Sequence, residues 1–287
     1  MNETETKRIT FFTKNPTVCP VCETSFFKED LLSGGGRLIA GNLTDELHRL
    51  YEPSKKYGEV YPLIYPVVVC PSCFYAAFNQ DFAEMKDPAA TQIREDADRR
   101  RDSVSLLFKE LNFAEFRSLK EGVASYILAL MCYDFREENL SPTLLRGLCA
   151  LRAAWLLDDL HAKFPGENYD YLTRMFYRKA RFFYLAAVER AQTGEEPLGA
   201  NVMYGPDLDK NYGFDGFLYI AGLLEYKYGP RKESELRVKS LESGKRIISK
   251  LFGSGKASRS KPSAILEKAK DLYDLMNGEI KELKGEA

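Results

Sequence analysis

Tryptophan occurs once in this 287-residue chain and histidine twice, so imidazole chemistry has only His48 and His161 to work with. An excess of one charge is also missing. With 41 Lys and Arg against 42 Asp and Glu, the formal net charge is −1, which supplies no overall attraction to nucleic acid or anionic membranes. Long hydrophobic runs are absent too: LIYPVVVC and ASYILALMC fall well short of the roughly 20 residues a bilayer span needs. The opening MNETETKRITFF lacks the apolar core and small-residue cleavage pattern of a secretory signal, and a cytoplasmic location is the expectation. The basic stretch FGSGKAS lacks both the upstream glycine and the final hydroxyl of a phosphate-binding loop. No catalytic centre is evident.

What is present is a globular composition, 45% hydrophobic and 29% charged, and a duplicated cysteine spacing. Cys19 and Cys22 stand in NPTVCPVCETSFF, and Cys70 and Cys73 in YPVVVCPSCFYAAF. One Cys-x-x-Cys pair fits either a thiol-redox site or a metal knuckle. Two such pairs, each preceded by a β-branched or aromatic strand candidate and a turn, favour four sulfurs converging on one ion. The expected ligands are therefore Cys19, Cys22, Cys70 and Cys73, holding one zinc ion in a ribbon-like or rubredoxin-like module, with iron as the alternative metal. Redox use of CPVC is less favoured, because no sustained helix follows it to lower the first thiol's pKa.

The segment between the pairs, residues 23–69, is long for a minimal ribbon and must carry something further. Within it, LTDELHRLYE has the leucine spacing of a short helix, which would place His48 on a partly exposed face. From Ala89 onward apolar residues recur at helical intervals. Helices are expected over ATQIREDADRRRDSVSLLFKELNF, RSLKEGVASYILALMCYDF, SPTLLRGLCALRAAWLLDDLHAKF, YDYLTRMFYRKARFFYLAAVERA, DGFLYIAGLLEYKYG, ESELRVKSLESGKRIISKLFG and SAILEKAKDLYDLMNGEIKELKG. Their unequal intervals and Tyr, Phe, Ala and Leu content suggest an irregular tetratricopeptide-like array, with a compact bundle as the alternative. The fold class is thus α+β: a small metal-binding β module over residues 1–88, then a helical domain over 89–287.

Other conspicuous residues have plainer explanations. His161, beside Asp158 and Asp159, suits a helix C-terminus. Cys132, Cys149 and Trp155 suit core positions. The rings of FYRKARFFYLAA are expected mostly in the core rather than on a base-stacking platform. The basic region between Lys227 and Lys270 is expected as a solvated helix face with a flexible connection.

The CPVC pair, YPLIYPVVVCPSCFYAAFNQDF, AWLLDDL and YRKARFFYLAAVERA together resemble the uncharacterised bacterial domain-of-unknown-function family numbered 2225, across nearly the whole chain. That resemblance implies the same four cysteine ligands, and LYIAGLLEYKYG resembles the family's tetratricopeptide-like part. Family knuckles often continue with glycine, where this chain has Glu23 and Phe74. The resemblance implies no reaction. The leading expectation is a cytoplasmic scaffold that binds a protein or peptide through its helices. The alternatives are nucleic-acid binding by the ribbon and basic C-terminal region, or metal-thiolate redox chemistry.

Overall fold

The computed structural model describes residues 7–196, 198, 205–208, 212–252 and 261–285. The fold is mixed α+β, with a small β region followed by an irregular helical array. By their contacts, the described residues divide into two units. Met1–Asn42, Arg49–Glu137 and Arg152–Arg174 make up the first; Leu43–His48, Glu138–Leu151 and Met175–Ala287 make up the second.

The β region of the first unit consists of two-stranded pieces. β1 (Thr10–Phe12) pairs antiparallel with β4 (Glu29–Leu31), and inside that pair β2 (Thr17–Val18) pairs with β3 (Ser25–Phe26). β5 (Ile39–Leu43) pairs with β6 (Arg49–Glu52), and β7 (Val67–Val69) with β8 (Ala76–Phe78). Two-stranded ribbons are marginal alone and need a helix or a neighbouring hairpin to cover them. Here the cover for β7 and β8 is α3 (Leu119–Cys132), which begins with a Ser118–Glu121 capping box and buries 12 of its 14 residues. Its close approach is possible because Gly122 carries no Cβ, which would lie 2.9 Å from Ile64 Cγ1 and 3.1 Å from Leu156 Cδ1. Arg117, just before the helix, ties two ribbons together. Its main-chain N–H donates to Glu29 Oε2 at 2.9 Å and its Nη1 to Val67 O at 2.8 Å.

Two of the expected helices take other forms. LTDELHRLYE, read as helical from Leu43, Leu47 and Leu50, is instead the tip and second strand of the β5–β6 hairpin. Thr44 N–H donates to His48 O at 2.9 Å and Leu47 sits at φ 59°, which no helix tolerates. The helix expected from Ala90 is shorter and broken. α1 (Asp87–Glu95) stops at Asp96, and α2 (Ala97–Ser105) follows. Asp96 carries ψ 4°, and its carboxylate accepts from Arg99 and Arg100.

The remaining helices lie where their periodicity put them: α4 (Pro142–Lys163), α5 (Tyr169–Thr193), α6 (Gly213–Tyr228), α7 (Ser234–Ser249) and α8 (Ser263–Lys284). Trp155, Cys132 and Cys149 are buried, as expected of core residues. In the second unit α6, α7 and α8 pack successively. A Cβ on Gly222 would stand 2.5 Å from Ile248 Cδ1, so that glycine sets how closely α6 and α7 approach. Buried Glu225 accepts from Arg181 Nε and Nη2 at 2.6 and 2.9 Å and from the Ser240 hydroxyl, while Arg237 donates to both oxygens of Glu279. These charge pairs satisfy groups that would otherwise be costly to bury.

Candidate metal centre

Each Cys-x-x-Cys occupies the turn of a hairpin, one between β2 and β3, the other between β7 and β8. The two turns share one hydrogen-bond pattern. Glu23 N–H donates to Cys19 O at 2.9 Å and Phe74 N–H to Cys70 O at 3.0 Å. Cys19 N–H donates to Thr24 O at 3.0 Å, and Cys70 N–H to Tyr75 O at 2.9 Å. In both, the residue after the second cysteine is left-handed: Glu23 at φ 61° and Phe74 at φ 59°. Glycine favours that backbone, so two ordinary residues adopt the conformation its absence had brought into question.

The sulfurs converge. Cys19 Sγ lies 3.7 Å from Cys73 Sγ, Cys22 Sγ lies 3.6 Å from Cys70 Sγ, and all four are within 4.8 Å of one another. A tetrahedral ion with metal–sulfur bonds of about 2.3 Å has sulfur–sulfur edges of about 3.8 Å, so the arrangement fits a tetrathiolate site. It does not fit a disulfide, which needs sulfurs about 2.05 Å apart. Three of the four cysteines are buried and Cys22 is partly so. Donor identity alone suits zinc or iron equally.

Crowding governs how these thiols ionise without a cation. Hydrogen bonds from the Cys19 and Cys73 thiols hold Cys70 down, at about 2, while Cys19 is pushed up to about 12 by its contact with the Cys70 thiolate. Cys73 is likewise pushed up, first by Cys19 and then by Cys70. The cluster thus favours the thiolate at Cys70 and the protonated form at Cys19 and Cys73. A bound dication reverses that balance and releases the protons.

Cations from α1 and α2 flank the knuckles. Arg94 donates through Nε and Nη2 to Val21 O at 2.8 and 2.5 Å, Arg100 Nη2 to Cys73 O at 3.0 Å, and Arg101 Nη2 to Ser72 O. These residues were overlooked in the sequence, where IREDADRRRD looks like an exposed helix face. The only signal was three consecutive arginines on a short helix.

The other singled-out residues lie elsewhere. In the second unit His48 Nδ1 is 2.5 Å from Oδ2 of buried Asp207, and nearby Glu46 accepts from Tyr177 Oη at 2.7 Å and Lys227 Nζ at 3.0 Å. This hairpin tip is what the long segment between the cysteine pairs carries. His161 lies in the last turn of α4. Of the FYRKARFFYLAA rings, Phe176, Tyr177, Phe183 and Tyr184 are buried and Phe182 is 63% exposed. Residues 253–260 of the basic region lie outside the described residues. Among those described, Lys227, Arg237, Lys261 and Lys268 each face a carboxylate. No described helix is long and apolar enough to cross a membrane.

Comparison with known proteins agrees with this arrangement in extent. The family model described as "Uncharacterized protein conserved in bacteria (DUF2225)" matches residues 12–276. An uncharacterized protein of Borreliella burgdorferi is 44% identical over 279 residues, covering 97% of this chain and 100% of the relative. No solved structure matches. With the match running from β1 through most of α8, and so across both cysteine knuckles, the chain belongs to the DUF2225 family.

Proposed function

We propose that this protein is a zinc-stabilised, cytoplasmic scaffold that binds a protein or peptide partner through its helices. The observation that carries the proposal is the convergence of four sulfurs, all within 4.8 Å, from two hairpins of matching geometry. Closed tetrathiolate sites leave no open coordination position for a substrate, so the metal's role is structural. In this reading residues 1–88 form a ribbon-like metal module, and residues 89–287 form a tetratricopeptide-like array that presents the partner surface.

Support for the partner surface comes from α5 within the second unit. Met175 and Phe182, 40% and 63% exposed and two turns apart, lie on one face with exposed Arg178 and Lys179 between them. Large exposed apolar side chains at that spacing suit an amphipathic peptide laid along the helix. Pairing of Lys227, Arg237, Lys261 and Lys268 with carboxylates offsets part of the positive charge that the nucleic-acid alternative needs.

Two measurements test the proposal. Elemental analysis and X-ray absorption should give one zinc per chain with four sulfur neighbours. Capture from nuclease-treated bacterial cytosol should recover a partner with the wild-type chain, and lose it with Phe182→Asp. A folded protein free of metal, or capture that vanishes on nuclease treatment, would refute the corresponding half.

A further inference from the structure

The three arginines flanking the knuckles do not contact them at arbitrary points. Val21 and Ser72 are the third residues of Cys19-Pro20-Val21-Cys22 and Cys70-Pro71-Ser72-Cys73, so Arg94 and Arg101 hold equivalent carbonyls of the two metal loops. Arg100 lies between them in the chain, is 0% exposed, and bridges Cys73 O to Ile93 O of α1. Its Nε is buried with no hydrogen-bond partner among the described residues. The nearest carboxylate, Asp96, is 3.5 Å from Nη1 and is shared with Arg99. Arg101 has only Asp98, whose side chain is 92% exposed.

Carbonyl oxygens bring only partial charges, and for Arg100, which is fully buried with one shared carboxylate 3.5 Å away, such incomplete neutralisation is unfavourable. A divalent ion bound by four thiolates carries a net charge of −2, which adds negative charge beside the cations that Asp96 and Asp98 only partly offset. Resting on the reading of the four cysteines as a zinc site, we infer that Arg94, Arg100 and Arg101 are part of that site. They are positioning residues: their donors fix the carbonyls of both loops, and their charges offset the tetrathiolate. Arg99, in the same run, is the internal contrast. It pairs with Asp96 rather than with a knuckle. Outer partners of this kind typically change metal affinity 10- to 100-fold.

The test uses the full chain and zinc itself. Zinc affinity is measured at fixed pH by competition with a chelator of known affinity, for wild type and for Arg94→Gln, Arg101→Gln, the double variant and Arg99→Gln. Arg100 is left intact because emptying its buried site risks the fold. Urea unfolding of the zinc-free proteins separates loss of affinity from loss of structure. The expected result is roughly tenfold weaker zinc binding for each single variant and more for the double. Arg99→Gln should stay within about twofold, and zinc-free stability should be unchanged throughout. Arg101→Lys, which keeps the charge, should recover part of the loss.

If wild type binds one zinc but Arg94→Gln and Arg101→Gln bind it as tightly as Arg99→Gln, the inference is wrong and the zinc site stands. An equal loss of stability in zinc-free and zinc-bound forms would also overturn it, by reducing the arginines to ordinary packing. If wild type binds no zinc, the underlying reading fails first.

Discussion

Glu23 and Phe74 occupy equivalent left-handed positions, at φ 61° and 59°, yet glycine should have opposite effects at the two sites. An L-residue in that region costs about 1–2 kcal/mol, and glycine removes the cost while adding about 0.5–1 kcal/mol of unfolded-state entropy. Glu23 is exposed, so Glu23→Gly removes strain and little else. Its net effect should be neutral to stabilising, by up to about 1 kcal/mol. Phe74 is half-buried, meets Phe113 edge-on at 5.3 Å, and lies under the Arg101 guanidinium at 5.8 Å. Losing that ring forfeits about 1–2 kcal/mol of burial and about 0.5–1.5 kcal/mol of aromatic pairing, against the same gain in backbone freedom. Phe74→Gly should therefore destabilise by about 0.5–3.5 kcal/mol. Urea unfolding of the zinc-loaded proteins, with metal content checked in parallel, gives both values. If the two substitutions shift the midpoint equally and in the same direction, the matching of the two knuckles has been misread. Destabilisation by Glu23→Gly would refute the strain argument directly.

Replacing Cys70 with Ser should abolish stoichiometric zinc and loosen both hairpins, read as lost metal by elemental analysis and raised amide exchange over residues 17–26 and 67–78. Glu279→Gln should cost about 1.5–3 kcal/mol at neutral pH, because Arg237 is almost fully buried and loses a two-pronged partner. Arg237 holds the Glu279 carboxyl below its usual range, so this stability is present above about pH 4.3 and is lost as pH falls through the lower folded value. The wild-type advantage over Glu279→Gln in urea should accordingly close on acidification. Gly222→Ala should destabilise the second unit by about 1–3 kcal/mol through the 2.5 Å approach to Ile248, and Ile248→Val should recover part of that loss. Duplex and single-stranded nucleic acids should bind weakly at physiological salt, since the chain carries a formal net charge of −1 and Arg237, Lys268 and Lys284 already face carboxylates, and submicromolar sequence-selective binding would contradict this.

The cluster of four cysteines was legible because Cys-x-x-Cys is a local constraint: spacing alone brings two sulfurs to one turn, and repetition supplies the other two. The five helices from α4 to α8 were legible for a related reason, since their apolar periodicity persists over four or more turns. Short segments misled. Leu43, Leu47 and Leu50 have helical spacing, but three residues are too few to outweigh pairing of Ile39–Leu43 with Arg49–Glu52. What the sequence presents as one helix is likewise divided at Asp96, whose ψ of 4° departs from helical geometry.

Composition and spacing by themselves determined the α+β class, the four converging thiols and the long helices, because each follows from patterns within a few turns of chain. Tertiary structure alone decided which arginines of IREDADRRRD face the cysteine loops, that His48 meets Asp207, and that Glu225 receives Arg181. Those partners lie 27, 159 and 44 residues apart. No local pattern encodes them, since a buried charge takes whichever partner the packing of distant elements brings within hydrogen-bonding reach.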